Sequence, residues 1–399
     1  MTDRKVLISG AGIAGPALAF WLRRHGFHPT VVERARGPRP GGQAVDVRGA
    51  ARGVIERMGL TARVRAECVD ERGMAYVAAD GTVRARMSVH AFGGEGIVAD
   101  LEIQRGDLAR LLYEETRSDV EYLFDDSIAT LTEVPGGVRV DFERAAPRTF
   151  DLVVGADGVH SRTREAAFGP ESAYLRPMRA YLAYFTTPYP DDEGWFLLHN
   201  APGGRVVGTR PDRRGRIAAL FSFVSPPLDV DRRDAAAQRR ILAERFADVG
   251  WRTPELLAAM ADAPDFYFDL YGQVRMDRWS AGRVALLGDA AWCPSPLTGQ
   301  GTSLSLVGAY VLAGELAAAG GDHRTAFARY EQVLRPHVLR CQQLPAGALS
   351  GFLPASRAAI WMRDRSMRAM TSRPLRRLAT RAFFDKADGL TLPEYVPAR

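Results

Sequence analysis

The chain has 399 residues, and its 53 Lys and Arg against 47 Asp and Glu give a formal net charge of +6. This length exceeds what one simple hydrophobic core usually holds, so we expect two domains. The three cysteines show neither CxxC pairing nor metal-ligand spacing, and no uncharged apolar run approaches the ~18 residues that span a bilayer. We therefore expect a cytoplasmic protein without disulfides, a bound metal or a membrane span.

The first predicted element is a buried strand that runs into a glycine-rich turn. Residues 6–15 read VLISGAGIAG, which places Gly10, Gly12 and Gly15 at the spacing GxGxxG before a segment of helical periodicity. Gly10 permits a tight turn, Gly12 lets a pyrophosphate approach the backbone, and Gly15 lets the helix pack on the strand. The free N–H groups at the helix N-terminus would face the phosphates, so the segment predicts a dinucleotide site.

An acidic residue follows in register. Glu33 ends the next apolar segment, eighteen residues after Gly15, where a carboxylate accepts hydrogen bonds from ribose hydroxyls and repels a 2′-phosphate. The nucleotide is therefore predicted to be FAD or NAD. We assign the neighbouring Ala14 and Arg34 to the same site.

After the strand, glycine-rich turn and helix, the hydrophobic pattern of the sequence changes twice. Residues 76–99 contain an Asp-Gly turn between alternating segments, which predicts a hairpin, and residues 173–274 contain four alternating segments that predict an antiparallel sheet. We predict a discontinuous FAD-binding domain (1–75, 100–172 and 275–335), a substrate-binding domain (76–99 and 173–274) and a C-terminal helical segment (336–399).

The predicted antiparallel sheet carries the candidate substrate contacts. An aromatic-walled cavity with a few polar groups is typical of a small-molecule site, although each of these side chains alone could equally belong to the core or the rim. The candidates are Tyr184, His199, Arg210, Phe221 and Phe223, with Phe196 beside them.

Two later segments favour FAD. In residues 150–164 a strand runs into Asp157 and Gly158, and in residues 282–313 a strand ends at Gly288 and Asp289 before a Pro- and Gly-rich loop. With these motifs the chain resembles the group A flavoprotein monooxygenases, the p-hydroxybenzoate hydroxylase family, over most of its length. Within that family it resembles the branch of tetracycline-inactivating and polyketide hydroxylases. The fold implied is α/β, with a Rossmann-type FAD-binding domain, an inserted antiparallel-sheet substrate domain and a long C-terminal helix.

The resemblance assigns roles residue by residue. It implies that the first glycine motif and Glu33 hold the ADP part of FAD, that Asp157 and Gly158 serve both FAD and the nicotinamide cofactor, and that Asp289 accepts from a ribityl hydroxyl. The GQG segment would face the pyrimidine edge of the flavin. Further residues that match family positions at the cofactor are Asp46, Arg48, Arg105, Pro296, Gly299, Gln300, Gly301 and Thr302. A loop ion pair is the alternative for Asp46 and Arg48, and a solvated charge for Arg105.

One position departs from the family pattern. The family usually has GDAAH where this chain has GDAAW, so Trp292 replaces a histidine. The indole either packs the loop or shapes the substrate pocket beside the flavin, and we count Trp292 among the candidate substrate contacts.

The chemistry implied by the resemblance is flavin monooxygenation. NADPH or NADH would reduce the flavin, dioxygen would form a flavin hydroperoxide, and an electron-rich aromatic or polyketide-like molecule would be hydroxylated. The flavin performs this chemistry, so no catalytic side chain is required. A flavin-binding protein that stabilises a reactive intermediate without oxygenation is the alternative, and an NAD-dependent dehydrogenase is a third possibility.

The basic excess is local. Residues 355–386 contain nine basic and two acidic residues with apolar residues at helical spacing, so we interpret this stretch as a bracing helix with a solvated basic face. We expect no nucleic-acid or membrane partner, and a monomer or homodimer. The two lysines, Lys5 and Lys386, do not follow a glycine, which excludes a Walker A phosphate loop.

Overall fold

The computed structural model describes residues 4–92, 101–191, 193–371 and 390–395. The far end of the predicted hairpin and much of the basic C-terminal stretch lie outside these ranges. The strands of the described residues are β1 (Lys5–Ser9), β2 (His28–Glu33), β3 (Ala44–Asp46), β4 (Gly73–Val77), β5 (Val83–Ser88), β6 (Glu102–Gln104), β7 (Glu121–Phe124), β8 (Ile128–Val134), β9 (Gly137–Phe142), β10 (Arg148–Phe150), β11 (Leu152–Gly155), β12 (Leu175–Pro190), β13 (Phe196–Ala201), β14 (Arg205–Pro211), β15 (Arg216–Val224), β16 (Tyr267–Val274), β17 (Ser280–Ala281) and β18 (Val284–Leu286).

The α-helices vary widely in length. They are α1 (Ala14–Arg24), α2 (Ala50–Arg57), α3 (Thr61–Ala66), α4 (Arg105–Glu114), α5 (Arg162–Phe168), α6 (Ala235–Phe246), α7 (Thr253–Met260), α8 (Asp289–Trp292), α9 (Gly301–Ala318), α10 (His323–Cys341), α11 (Ala348–Phe352) and α12 (Arg357–Thr371).

A mostly parallel sheet forms the half of the fold that contains the predicted nucleotide-binding turn, and we call it the nucleotide-binding half. Its strand order is β17-β18-β11-β1-β2-β7, and every neighbouring pair except β17–β18 is parallel. The central strands are continuous apolar runs because both faces are covered. Helices α1, α9 and α10 pack in the core on one face, and the small sheet β10-β9-β8 covers the other.

A second, larger sheet stands beside it in the order β16-β12-β15-β14-β13-β4-β5. The hairpin predicted around the Asp-Gly turn is confirmed as β4 and β5, and β4 joins the sheet through a parallel pairing with β13. One face of this sheet packs on α6 and α7, and the other faces the nucleotide-binding half. The expected fold class is thus confirmed.

Helix α9 is long and apolar enough to cross a membrane by length and composition, but 83% of that stretch is buried inside the structure. It packs against α1, α2 and α10 as a core helix. Helix α12 lies against β5. The arrangement delivers the N-terminus of α9 to the space between the two large sheets.

Candidate functional site

A cavity of about 830 Å³ begins at the carboxyl ends of β1, β2 and β11 and continues to the inner face of the large sheet. In α/β sheets of this kind, ligands bind beyond the carboxyl ends of the parallel strands. Its walls include Gly10, Gly12, Ala14, Glu33, Arg34, Asp46, Arg48, Arg105, Asp157, Gly158, Asp289, Pro296, Gly299, Gln300, Gly301 and Thr302. The three motif segments and the residues at 33–34, 46–48 and 105 therefore meet in one space.

The three glycines of the first turn have different structural roles. A Cβ on Gly15 would lie 1.9 Å from the carbonyl oxygen of Gly10, so the close packing of α1 on β1 requires glycine there. Gly10 has a φ of 108°, and a Cβ on it would lie 2.5 Å from the Ala156 carbonyl oxygen. A Cβ on Gly12 would meet only Nη2 of Arg105, at 3.3 Å. Gly10 and Gly15 build the turn, whereas Gly12 leaves open space in the cavity.

Glu33 lies at the end of β2 with its carboxylate anchored to the backbone. One carboxylate oxygen accepts from the Ala11 N–H at 2.8 Å, and the other accepts from the Ala35 N–H at 2.9 Å. The side chain is buried at the cavity wall next to Arg34. This fixes an acceptor where the ribose of a bound nucleotide is expected.

The Asp157–Gly158 turn also lines the cavity, but the Asp157 carboxylate is engaged with protein groups. It accepts from Ser161 Oγ, and from the Thr163 backbone N–H and Oγ1, both at 3.0 Å. Asp157 therefore ties the end of β11 to the start of α5. The backbone of the turn remains available to a ligand.

Asp289 and the N-terminus of α9 form the opposite wall. Burial raises the pKa of Asp289, and the nearby Arg105 partly counteracts this increase in pKa. A Cβ on Gly301 would lie 3.4 Å from the Asp289 carboxylate, so the carboxylate sits at the first turn of α9. Gly299 adopts a left-handed φ of 64°, which turns the chain into this helix. The helix N-terminus thus directs unpaired N–H groups at the cavity.

The inner face of the large sheet forms an aromatic compartment. Tyr184, Phe196, Leu220 and Tyr271 line it, with Phe352 at its edge. Burial raises the pKa of Tyr184 to about 12, so this phenol is neutral at physiological pH. The Arg210 guanidinium lies 4.5 Å from the centre of the Phe196 ring. This compartment adjoins the first turn of α9.

Three of the predicted substrate contacts lie on the other face of the sheet, so the prediction that they line the site is wrong. Phe221 and Phe223 pack on Phe246 of α6. His199 packs near Trp251, and its Nδ1 bonds the Val77 carbonyl. The reason is strand parity.

In β15 it is Leu220 that lies opposite Tyr184, so Phe221 and Phe223 point the other way. The cavity side of β13 likewise belongs to Phe196 rather than His199.

Trp292 also lies outside the cavity. It is 1% exposed and packs against Trp279, with ring centroids 4.4 Å apart, and against Tyr330. A Cβ on Gly308 of α9 would come within 2.9 Å of this indole. The tryptophan therefore fills the core under the loop, and the alternative that it shapes the pocket is wrong. Gly15 and Gly288 are likewise absent from the cavity wall and act through the backbone turns.

Several lining residues were missed by the sequence analysis. Tyr271 could have been found from the alternation within β16, which gives it the same parity as Tyr267 opposite Tyr184. Glu102 lies on the short strand β6, and only its pairing with β3 brings it to the cavity. Phe352 comes from α11, far along the chain.

The residues present fit FAD. Gly12 and Gly158 leave room where a Cβ would point, the first turns of α1 and α9 present backbone donors, and Asp289 offers a buried carboxylate between them. Within the described ranges, no group of three His, Cys, Asp or Glu is arranged to hold a metal ion. The arrangement suits an elongated dinucleotide whose far end reaches the aromatic compartment.

Comparison with known proteins agrees with this site. The model of the FAD binding domain family matches residues 3–341. The chain belongs to this family. A flavin-dependent monooxygenase of Legionella longbeachae is 37% identical over 396 residues, 98% of each chain. The crystal structure of the tetracycline destructase Tet(51) superposes with a TM-score of 0.83 at 34% identity, covering 99% of both chains.

An uncharacterized protein of Mycobacterium tuberculosis is 46% identical over 355 residues, 88% of this chain and 95% of that protein. Together these matches identify a group A flavin-dependent monooxygenase. The match to the FAD binding domain family identifies FAD as the cofactor of this monooxygenase.

Proposed function

We propose that the enzyme uses NADH or NADPH and dioxygen to hydroxylate an electron-rich aromatic or polyketide-like small molecule. The observation that carries this proposal is the continuity of the cavity. The residues that would hold FAD and the aromatic side chains of Tyr184, Phe196 and Tyr271 line one continuous cavity, with Leu220 beside them. The similarity to Tet(51), named as a tetracycline destructase, supports a polycyclic substrate.

The residues would hold FAD at three places. Gly12 and the first turn of α1 would receive the pyrophosphate, Glu33 the adenosine ribose, and Asp289 a ribityl hydroxyl. The backbone of Gly299, Gln300 and Gly301 would meet the pyrimidine edge. When bound, FAD supplies the redox chemistry that passes electrons from the nicotinamide cofactor to dioxygen.

The protein contributes electrostatics and enclosure. A helix N-terminus carries about half a positive charge, so α9 stabilises negative charge at the pyrimidine edge of the cofactor. The aromatic walls keep water from the place where oxygen is transferred. The neutral Tyr184 can donate or accept a hydrogen bond there without adding charge.

The test measures coupling between reductant and product. FAD-loaded enzyme is mixed with NADH or NADPH, oxygen-18 gas and a panel of phenolic and polycyclic aromatics, and reductant consumption is compared with labelled product by mass spectrometry. We expect at least one compound to stimulate reductant oxidation and to acquire one labelled oxygen atom. Stimulation without labelled product from any compound would refute the hydroxylase proposal.

A matched pair of variants locates the compartment. Leu220→Trp fills the compartment from its floor, and we expect it to abolish stimulation while FAD remains bound. Val83→Trp places the same side chain on β5, where Val83 is 49% exposed, and should leave coupling unchanged. Equal stimulation of reductant oxidation in the two variants would show that the substrate does not bind in this compartment.

A further inference from the structure

The loop that leads into α9 has an unusual backbone. Ser295 is 2% exposed, and its φ of 85° is one that residues with a side chain rarely adopt. Pro294 and Pro296 flank it, and their rings restrict the backbone on both sides. A conformation of this kind persists only where the surrounding structure imposes it. The cause therefore lies in the contacts of residues 292–298, which we call the α9 loop.

Two buried side-chain amides hold the α9 loop. Gln342 is 3% exposed, and its Nε2 donates to the Trp292 carbonyl at 3.0 Å. Gln273 is 8% exposed, and its Nε2 donates to the Pro294 carbonyl at 3.0 Å and to the backbone carbonyl of Gln342 at 2.8 Å. Arg275 donates to Oε1 of Gln273 at 2.8 Å, so the NH₂ end of this amide faces the carbonyls. We call Gln273 and Gln342 the amide clamp.

The other carbonyl groups in this part of the loop are engaged as well. Those of Cys293, Ser295 and Pro296 accept from backbone N–H groups at 3.0, 3.1 and 3.2 Å. Five consecutive carbonyls, from residue 292 to residue 296, are therefore held in hydrogen bonds within the protein. The first N–H groups of α9 have no partner inside the helix, so they remain available to a ligand. The loop and the helix together offer the cavity donors rather than these five acceptors.

The amide clamp acts on the cavity from outside it. Of the described residues, neither Gln273 nor Gln342 lines the cavity, whereas Pro294 and Ser295 do. Gln273 lies on β16, two residues after Tyr271 of the aromatic compartment, and Gln342 directly follows the last residue of α10. The clamp therefore joins the strand that carries a compartment wall to the loop that leads into α9.

We propose that Gln273 and Gln342 are positioning residues, which hold the α9 loop so that FAD meets backbone donors instead of carbonyl oxygens, and which thereby raise the reduction potential of the bound cofactor. This inference rests on the proposed placement of FAD at α9. Reduction adds negative charge to the pyrimidine edge of a flavin, and the positive end of a helix dipole stabilises that charge. A carbonyl oxygen released toward the same edge would oppose it. Loss of the clamp should therefore lower the potential.

The test measures the reduction potential of bound FAD in the absence of substrate and oxygen. FAD-loaded wild type, Gln273→Met and Gln342→Met are each reduced together with a reference dye. Methionine keeps the length and neutrality of glutamine but donates no hydrogen bond. We expect the ratio of reduced to oxidised FAD at a fixed dye potential to fall about tenfold, a shift of about 30 mV for a two-electron couple.

A matched control separates the clamp from the substitution itself. Gln343 is exposed and directly follows Gln342, so Gln343→Met makes the same chemical change beside the clamp and should keep the wild-type potential. Flavin content is measured on every sample. Gln342→Met provides the second variant if Gln273→Met does not fold. Equal potentials in wild type and both clamp variants would overturn the positioning role, and so would an equal shift in Gln343→Met.

A second measurement uses the apoprotein. Ser295→Gly relieves the unfavourable φ, so its denaturant midpoint should be no lower than that of wild type. Ser172→Gly is the control, because Ser172 is exposed in the 3₁₀ turn Glu171–Ala173, where φ is ordinary and glycine costs conformational entropy. A midpoint for Ser295→Gly at or below that of Ser172→Gly would show that the α9 loop is not held under strain, and would overturn that part of the proposal.

These outcomes separate from those of the coupling test, because no substrate is present when the potential is measured. Hydroxylation of an aromatic by an enzyme whose clamp variants keep the wild-type potential overturns this inference alone. A lowered potential in the clamp variants of an enzyme that hydroxylates no aromatic overturns the proposed function and leaves the amide clamp in place.

Discussion

Gly12→Val tests whether the first turn serves FAD or only the fold. The new Cβ would meet one atom, Nη2 of Arg105 at 3.3 Å, which is the far end of a flexible side chain. The apoprotein should therefore keep its folded structure. In the loaded enzyme the valine would occupy the space in which the pyrophosphate approaches the backbone. Hydrogen bonds to a charged group contribute about 1.5–3 kcal/mol each, so losing one or two weakens FAD by about 3 kcal/mol, or roughly 100-fold.

The assay combines flavin titration with thermal unfolding of the apoprotein. Gly37→Val is the matched control, because Gly37 lies in the same domain, away from the cavity wall, and a Cβ there has no neighbour within 4 Å. We expect the control to bind FAD normally and Gly12→Val to purify with little flavin but a near-normal unfolding temperature. Normal FAD affinity in Gly12→Val would refute the assignment of this turn. An apoprotein that fails to fold would show that Gly12 is structural.

Three further predictions concern the other motif segments. Asp289→Ala removes the buried carboxylate at the first turn of α9 and should weaken FAD by about 1–3 kcal/mol in titration, whereas an unchanged dissociation constant would exclude a role in cofactor binding. Gly299→Val cannot easily adopt the left-handed φ of 64°, so the variant should bind some FAD yet release more hydrogen peroxide per NAD(P)H consumed; coupling equal to wild type would contradict this. Burial lowers the pKa of His160, but hydrogen bonds to Asp269 and Glu171 outweigh it and leave the pKa raised above 6.5. The contribution of His160 to the free energy of unfolding is therefore complete below pH 6.5 and is lost as the pH rises through the raised pKa. In denaturant titrations at several pH values, His160→Gln should show a free energy of unfolding that falls less over this pH range than in wild type. An equal fall in both proteins would count against this role of His160.

The nucleotide-binding half could be predicted from the sequence because its signals are local. The strand VLIS and the glycines after it are contiguous, and β11 and β18 are each followed within three residues by Asp157 and Asp289. Backbone geometry ties such short segments to one role, since a tight turn into a helix needs glycine at fixed positions. The hairpin β4–β5 was predictable for the same reason, from its Asp-Gly turn.

The substrate compartment depended on long-range registration that local patterns do not contain. Alternation in β15 marks two faces but does not say which face looks toward the cofactor, so Phe221 and Phe223 were placed on the wrong side. The deciding information is the pairing of Leu220 with Tyr184 and the packing of α6 on the opposite face. The ion pairs of Arg210 with Glu71 and Glu102 were hidden in the same way, because they join residues more than 100 positions apart in the sequence.

The motif residues of this monooxygenase divide into two physical groups. Gly10, Gly15 and Asp157 make or permit contacts within the protein, and substituting them should cost stability before it costs cofactor affinity. Gly10 and Asp157 line the cavity as well, but a Cβ on Gly12 would meet only the end of one flexible side chain and Asp289 places a carboxylate at the first turn of α9, so these two should show the reverse order. In a cofactor-binding motif, the residues that make contacts within the protein therefore indicate the fold. The residues that face the cavity indicate the ligand. Measuring flavin affinity and apoprotein stability on the same variants distinguishes the two groups. Only a residue whose role is to contact the cofactor can change flavin affinity while apoprotein stability stays unchanged.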